Sequence, residues 1–398
     1  YFGDNFNASS VTNMKNMFDG CSNLKSITFG KNFKMNKVSP ANSASMFANC
    51  PKLRYIDFYD SDYSTSGAGL QFPLNSVNLS SNTFNGVPET TVIYMPHGNS
   101  YVTGVTNVRN VVYPYNGDDN DLRCHDYYSE DKVDIEFPRN FKTNTAEYKR
   151  TMTNEYGSAI LPYDFTTNGN IQAYKQNREY PDMMHFKDVE TVAAHTPFAF
   201  KKLADGNTAD FTMTDSSGNF GITVYATRST NVNESTWDPD THIWTNSTTE
   251  VGSPYEDTTG NINKESNLSG WSTKGYYVKQ TNCIASNPEH PEYILVEEPF
   301  WYISSSNTFR LAKGNVTLWP HRVTFHNASL SGGAKSFDID TSASEDEVIT
   351  AIREAELRKD MREAEAIYDM QGRKIEKLQP GINLVRMADG SVKKVIIR

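Results

Sequence analysis

Residues 14–29 read MKNMFDGCSNLKSITF, and residues 43–58 read SASMFANCPKLRYIDF. The two lines align without a gap. Met17-Phe18 returns as Met46-Phe47, Cys21 as Cys50, Leu24 as Leu53, Ile27 as Ile56 and Phe29 as Phe58, each pair 29 residues apart. The lead-in returns too: Phe2-Gly3-x-Asn5-Phe6 becomes Phe29-Gly30-x-Asn32-Phe33 at a spacing of 27, and Val11 becomes Val38. The difference of two is an insertion between Val38 and Met46. A fixed period of this size with Leu-x-x-Ile-x-Phe at its centre predicts a leucine-rich solenoid. One coil of roughly 25 residues cannot bury its own apolar face, so coils stack and build ladders of equivalent side chains.

Met17, Phe18, Cys21, Leu24, Ile27 and Phe29 are therefore predicted core, as are Met46, Phe47, Cys50, Leu53, Ile56 and Phe58. Lys25, Ser26 and Thr28 should turn outward or into the loop. Cys21 and Cys50 share one rung. Rungs about 4.8 Å apart would permit a disulfide by distance alone. The position is a packing position, however, and two buried thiols are expected there.

The pattern fades after Phe58. A degenerate third coil runs through Leu70-Gln71-Phe72-Pro73-Leu74, Val77-Asn78-Leu79 and Asn82-Thr83-Phe84-Asn85-Gly86-Val87-Pro88. Thr91–Pro96 and Asn110–Tyr113 read as short strands that close the array. Residues 1–115 are thus the predicted solenoid fragment. Asn116–Asp121 is turn-rich and acidic, the composition of a linker. Neither it nor Asp60-x-Asp62-x-Ser64 supplies both the Gly and the Glu of a calcium loop, so solvated turns are expected.

Residues 122–342 alternate apolar and polar in short runs, among them Val133–Phe137, Ala159–Pro162, Phe198–Phe200, Phe220–Val224, Tyr293–Val296 and Val323–Phe325. That predicts an antiparallel β-sandwich or barrel-like region. Within it, 226–275 is rich in Ser, Thr, Asn and Gly around Trp237, Trp244 and Trp271, and reads as a long insertion loop or hairpin excursion. Residues 343–365 read as a helical or charged linker: Val348, Ile349, Ile352, Ala355 and Met361 recur near helical spacing, with Ser344 and Glu347 as a capping box. Residues 366–398 read as strand, Gly turn, strand, Asp-Gly turn, strand. A three-stranded unit this small cannot hold a core alone, so it must pack on something or be read by a partner.

The chain has 398 residues, enough for two or three domains. Its net charge of -10 argues against nucleic acid and against an anionic membrane surface as partners. Aromatics at 12% with charged residues at only 22% suit a secreted β-rich protein. Four Cys at unrelated spacings are too few for a disulfide scaffold, and pairing of Cys124 with Cys283 stays open. No apolar run of about 18 residues exists, so no transmembrane helix is expected. The chain opens inside a repeat, at Tyr1, so the expectation is that the native protein extends upstream and that its export signal lies outside this sequence.

With these residues in view, a resemblance can be stated. Met17-Phe18-x-x-Cys21-x-x-Leu24-x-x-Ile27-x-Phe29 and its copy resemble BspA-like leucine-rich repeats of exported surface proteins, especially of Bacteroidetes. Asn82-Thr83-Phe84-x-Gly86-Val87-Pro88 resembles the last coil of such arrays. Tyr148–Thr151 through Ala159–Phe165, and Phe300–Ile303 through Trp319–Arg322, are similar to the all-β segment that often follows. Ile367-Tyr368-Asp369-Met370-x-Gly372-Arg373, Gly381-Ile382-x-Leu384-Val385 and Lys394–Ile397 look like the C-terminal β modules of exported proteins, including type IX sorting domains. The resemblance implies export, display on the outer-membrane surface or release, and adhesion or binding. It implies no defined ligand.

Catalytic motifs are missing: no nucleophile elbow, no His-Glu-x-x-His, no phosphate loop and no dinucleotide fingerprint. No cofactor or catalytic residue is assigned, and the chain is read as a non-enzyme. His321 and His326 are five apart, on opposite faces of a strand, and make a poor metal pair. Asp238-x-Asp240-x-His242 would share one strand face and could hold a divalent ion, but Pro239 interrupts it and turn polarity is the simpler reading. Trp237, Trp244 and Trp271 are the candidate ligand-binding residues, since a ring in a polar loop can stack on a sugar or anchor a protein. The simpler role is to plug the side of the β domain. The leading expectation is a non-catalytic binding or adhesion protein for a host or extracellular macromolecule. A glycan-binding component of a polysaccharide-handling system is the alternative, and a hydrolase in the β domain the lesser one.

Overall fold

A computed structural model of the chain describes residues 5–30, 33, 37–58, 80–95, 107–115, 118–180, 183–227, 236–238, 243–245, 255–257, 271–277, 279–282, 294–295, 300–312, 316–327, 336–341, 364–369, 372–375, 381–387 and 392–397. Among them the regular structure is strand, apart from one 3-10 turn at Pro40–Ser43. The chain is mainly β.

The two copies of the repeat lie one above the other. β1 (Ser26–Thr28) pairs in parallel with β2 (Tyr55–Asp57), Ile27 opposite Ile56. β3 (Val92–Tyr94) and β4 (Asn110–Tyr115) continue the ladder with Ile93 and Val111. A one-rung offset brings like rings together: centroids are 5.2 Å apart for Phe18 and Phe47, 5.7 Å for Phe47 and Phe84, 4.9 Å for Phe29 and Phe58, and 5.9 Å for Phe6 and Phe33. All four pairs are stacked, a geometry that adds to simple burial. The turns stack too. Gly20, Asn49 and Gly86 occupy one column with φ of 74°, 56° and 75°. That left-handed conformation costs least for Gly and is tolerated by Asn, which is why the column alternates between the two.

Burial differs between the copies. Met46, Phe47, Cys50, Leu53, Ile56 and Phe58 are all buried. In the first copy Ile27 and Phe29 are buried, Phe18 and Leu24 are half-buried, Cys21 is exposed, and Met17 keeps 37% of its surface. A residue in such a stack is covered only where a neighbour lies on each side, and β1 is the terminal strand of its sheet among the described residues. The expected pair of buried thiols is therefore one buried and one exposed. Both are free, and Cys50 Sγ donates to the Phe18 carbonyl at 3.2 Å. Burial raises the Cys50 thiol above its ordinary value, with Cys21 adding to the shift.

The strands alternate between two cores. Ile27, Ile56, Ile93 and Val111 point into the coils. Tyr55, Val92, Tyr94 and Val112 point the other way, into a core shared with the chain beyond residue 118. Residues 118–121, expected as part of a linker, are strand. β5 (Asp118–Glu130) folds straight back on β4, with Val112 opposite Cys124. The acidic stretch ends on this strand, where Asp121 accepts from Arg123 Nε and Nη2 at 3.1 and 2.6 Å and meets Lys142 at 3.1 Å. Those cations hold its carboxyl below the usual range, Arg123 most strongly.

β6 (Phe141–Thr151) pairs with β5 in parallel, from Arg123 opposite Lys142 to Glu130 opposite Lys149. The expected antiparallel region is thus mixed. Residues 131–140 cross back over the sheet between these strands, and Val133–Phe137, expected as a strand, lies in that crossover. The sheet runs β1-β2-β3-β4-β5-β6, with Thr208–Asp210, Met213–Thr214 and Ile222–Val224 all on β6.

A second sheet of ten strands ends at β7 (Tyr156–Ala159). Its neighbours are Phe198–Lys202, Ile171–Tyr180 and Met183–Val189; at the far side lie Arg322–Asn327 and Trp271–Tyr276. Phe198 and Phe200 face the shared core, whereas Ala199 faces a second core with Met184, Phe186, Trp301, Phe309 and Phe325. Those last five all come from the same sheet, which curls around them into a nearly closed, barrel-like form. Where it closes tightly, only glycine fits: a Cβ on Gly275 would stand 2.4 Å from Ile160 Cδ1.

The C-terminal segment forms four strands, Ala364–Tyr368, Lys374–Ile375, Gly381–Met387 and Val392–Ile397, where three were expected. Gly372 turns the first corner at φ 77°, and Asp369 accepts from the Arg373 backbone N–H and Nε at 2.9 and 2.7 Å. Of the helical or charged linker expected at 343–365, Ala364 and Glu365 instead open the first of these strands, because they pair with the Gly381–Met387 strand; residues 343–363, the strands of the third coil through Leu79, Asp60–Ser64 and Cys283 lie outside the described residues.

Candidate functional site

The three candidate tryptophans separate into two places. Trp237 and Trp244 lie on a two-stranded hairpin, Thr236–Asp238 with Ile243–Thr245, directly opposite each other in register. Opposed positions of an antiparallel pair share one face of the ribbon. This hairpin pairs with no other strand among the described residues. Trp271 is elsewhere. It opens strand Trp271–Tyr276 of the ten-stranded sheet, opposite Asn327, so it is a sheet position rather than part of the insertion loop.

Asp238 closes the first hairpin strand opposite Ile243. Asp240 and His242 fall between the two strands and lie outside the described residues. Among the described residues no group of three His, Cys, Asp or Glu is arranged to hold a metal ion.

The densest polar chemistry lies on the 131–140 crossover, which sequence reading passed over. Arg54, just before β2, reaches Asp134 at 2.5 Å and Glu136 at 2.7 Å. Arg54 and Glu136 side chains are each only 6% exposed, so this pair works in low dielectric. Arg139 reaches Asp57 at 3.3 Å, and Tyr94 Oη donates to the Arg139 carbonyl at 2.7 Å. The same segment grips the other side. Ile135 N–H donates to Tyr277 O at 3.0 Å, Thr227 N–H donates to Phe137 O at 3.1 Å, and Lys279 N–H donates to Asp134 at 2.8 Å. Alternation fixes this arrangement: Ile135 enters the second core, Phe137 the shared core, and Glu136 meets the arginine.

A second network continues from Asp131. Its carboxylate accepts from Arg322 Nη2 at 2.6 Å and from Tyr148 Oη at 3.3 Å. His321 stacks on Tyr148 with centroids 4.0 Å apart and meets Tyr277 edge-on. Tyr277 Oη in turn lies 2.9 Å from His195 Nδ1. His321 is fully buried; its Nδ1 donates to the Ile160 carbonyl at 2.8 Å, and Nε2 meets no hydrogen-bond partner. Burial pushes His321 down to about 4, against the pull of the Ile160 bond. Burial likewise pushes His195 down to about 4 and Arg150, helped by Arg322, down to about 10. Both histidines are therefore neutral at pH 7 while Arg150 stays charged. His321 and His326 do part ways: His326 bonds Thr324 at 2.7 Å, away from the Ile160 site.

Chemically, the crossover and the histidine network tie the segment around β2 to the two large sheets. Most of their donors and acceptors are spent on one another, with His321 Nε2 and Arg139 Nε the buried exceptions within these networks. The arginine clamp carried one faint signal in the sequence: Arg54 is the copy of Lys25, and its partners sit at alternate positions, Asp134 and Glu136, inside an apolar run. No helix among the described residues is long and apolar enough to cross a membrane. Comparison with protein-family models, with curated proteins and with solved structures finds no match.

Proposed function

We propose that this chain is an exported cell-surface protein with a non-catalytic binding role towards a host or extracellular macromolecule, and that residues 1–115 are a BspA-like leucine-rich-repeat fragment. The observation that carries the reading is the register of the repeat. Like rings stack on like rings, and each coil donates backbone hydrogen bonds to the next, as in a scaffold that presents surface. The buried face narrows the choice of surface. Tyr55, Val92, Tyr94 and Val112 are covered by the β region, so a ligand meets the turn columns, or another part of the chain. The C-terminal strands fit a module that serves export.

A glycan ligand is the second reading, favoured by Trp237 and Trp244 at opposed positions on a separate ribbon. Tryptophan in a polar segment is the residue type that can stack on a sugar ring. The test is a pull-down against extracellular proteins beside a glycan array, with the chain and with Trp237→Ala/Trp244→Ala/Trp271→Ala. Protein ligands retained by the triple variant support the first reading. Glycan ligands lost with it support the second. A chain that captures neither overturns both.

A further inference from the structure

The charges around the end of β6 do not balance. Ala146, Tyr148 and Arg150 fall on one face of this strand, and the first two enter the shared core. Arg150 follows them at the rim of that core and is half-buried. Its Nη1 donates to the Ser158 carbonyl of β7 at 3.0 Å, and the guanidinium stands 5.7 Å from the centroid of the Phe200 ring. Gly157 lets ring and guanidinium lie against β7: a Cβ there would be 2.6 Å from Phe200 Cζ and 3.4 Å from Arg150 Nη1. Nε and Nη2 of Arg150 make no hydrogen bond to any described residue, and no described carboxylate lies within ion-pair distance.

Arg322 belongs to the same cluster and donates to Asp131 at 2.6 Å and to the Tyr148 hydroxyl at 3.0 Å. Two guanidinium groups therefore share one carboxylate, beside a neutral His321. The acids of the adjoining strands have cations of their own: Glu155 meets Lys201 at 3.0 Å, and Asp210 meets Lys149 at 3.7 Å. One positive charge is left over, in a chain whose net charge is -10. A partly desolvated charge without a counter-ion is costly, and an anion from outside removes that cost. We propose that Arg150 is a binding site for the carboxylate of a small organic acid, with Nε and Nη2 donating one hydrogen bond to each carboxylate oxygen. That side of the guanidinium presents the two parallel N–H groups of a bidentate pair. A single negative charge brings the cluster to neutrality, whereas a divalent sulfate would overshoot it. Phe200 beside Arg150 and Ala209 opposite it in register are apolar, which suits an organic acid.

The test is an NMR titration of the arginine Nε–H signals of the full chain at neutral pH, with sodium acetate replacing sodium chloride at constant ionic strength. The Arg150 signal is the one missing from both Arg150→Lys and Arg150→Met. It should move and saturate, with half-saturation on the order of 10 mM or below for so small an acid. Melting gives a second reading. Acetate should raise the melting temperature of the wild-type chain, raise it several-fold less in Arg150→Lys, which keeps the charge and loses the fork, and leave Arg150→Met unchanged. An Arg150 signal that acetate leaves in place, or moves without saturation, would overturn the proposal. So would an equal acetate shift in the melting of Arg150→Met. Sulfate saturating the same signal at a lower concentration than acetate would overturn the assignment to a carboxylate.

Discussion

The first and second coils carry nearly the same residues in nearly the same shape, yet only the second is closed. Met46 keeps 1% of its surface and Met17 keeps 37%. Cys50 is buried and Cys21 is exposed. Lys25 is solvated, whereas its copy Arg54 is buried between two carboxylates. The residue type sets which side of the coil a position faces. What lies on either side sets how much that position contributes. The second copy lies between the first copy on one side and β3 with the Thr83–Gly86 turn on the other, and its Arg54 meets the 131–140 crossover.

The sharpest way to break this comparison is Arg54→Ala. It strands two carboxylates, one of them deeply buried, and should cost about 3–5 kcal/mol in urea unfolding. Met46→Ala should cost about 2–5 kcal/mol, against less than roughly 0.5 kcal/mol for Met17→Ala, because only the former leaves a cavity. Acid sharpens the account at the crossover. An unfolded His titrates near 6.5 and His321 is pushed down to about 4. Between those values the unfolded chain binds a proton that the folded chain refuses. Stability is therefore full above about pH 6.5 and declines as pH falls towards about 4, by roughly 2–3 kcal/mol from this group. His321→Asn should flatten that part of the pH profile. Lys25→Ala, the counterpart of Arg54→Ala, should shift stability by less than about 0.5 kcal/mol.

Much of the repeat was legible in the sequence because a period of 29 records which residues share a rung. Ile27 with Ile56 and Phe29 with Phe58 were found that way. Exposure of Met17 and Cys21 was not, since a repeat names equivalent positions and says nothing of what covers them. Residues 118–121, expected to belong to a linker, lie on β5 instead: acidic turn residues look alike whether they separate domains or join strands, and Asp121 is neutralised by Arg123 and Lys142 from the strands themselves. The parallel pairing of β5 and β6 was illegible for a related reason. Alternation gives strand character and face, and direction depends on the crossover. For the candidate site, Trp237 and Trp244 fell on one hairpin as their spacing allowed, and Trp271 fell on a different sheet, because composition cannot tell a loop from the start of a strand.

The central claim is that coils and β region form one cooperative body through the 131–140 crossover. Its most direct test is pulsed thiol labelling across a urea series, with Cys21, Cys50 and Cys124 resolved by mass. The account predicts that Cys21 labels in the native protein, while Cys50 in the coils and Cys124 on β5 become reactive together at one midpoint. Cys50 opening at a clearly lower urea concentration than Cys124 would contradict it, because the coils would then unfold on their own.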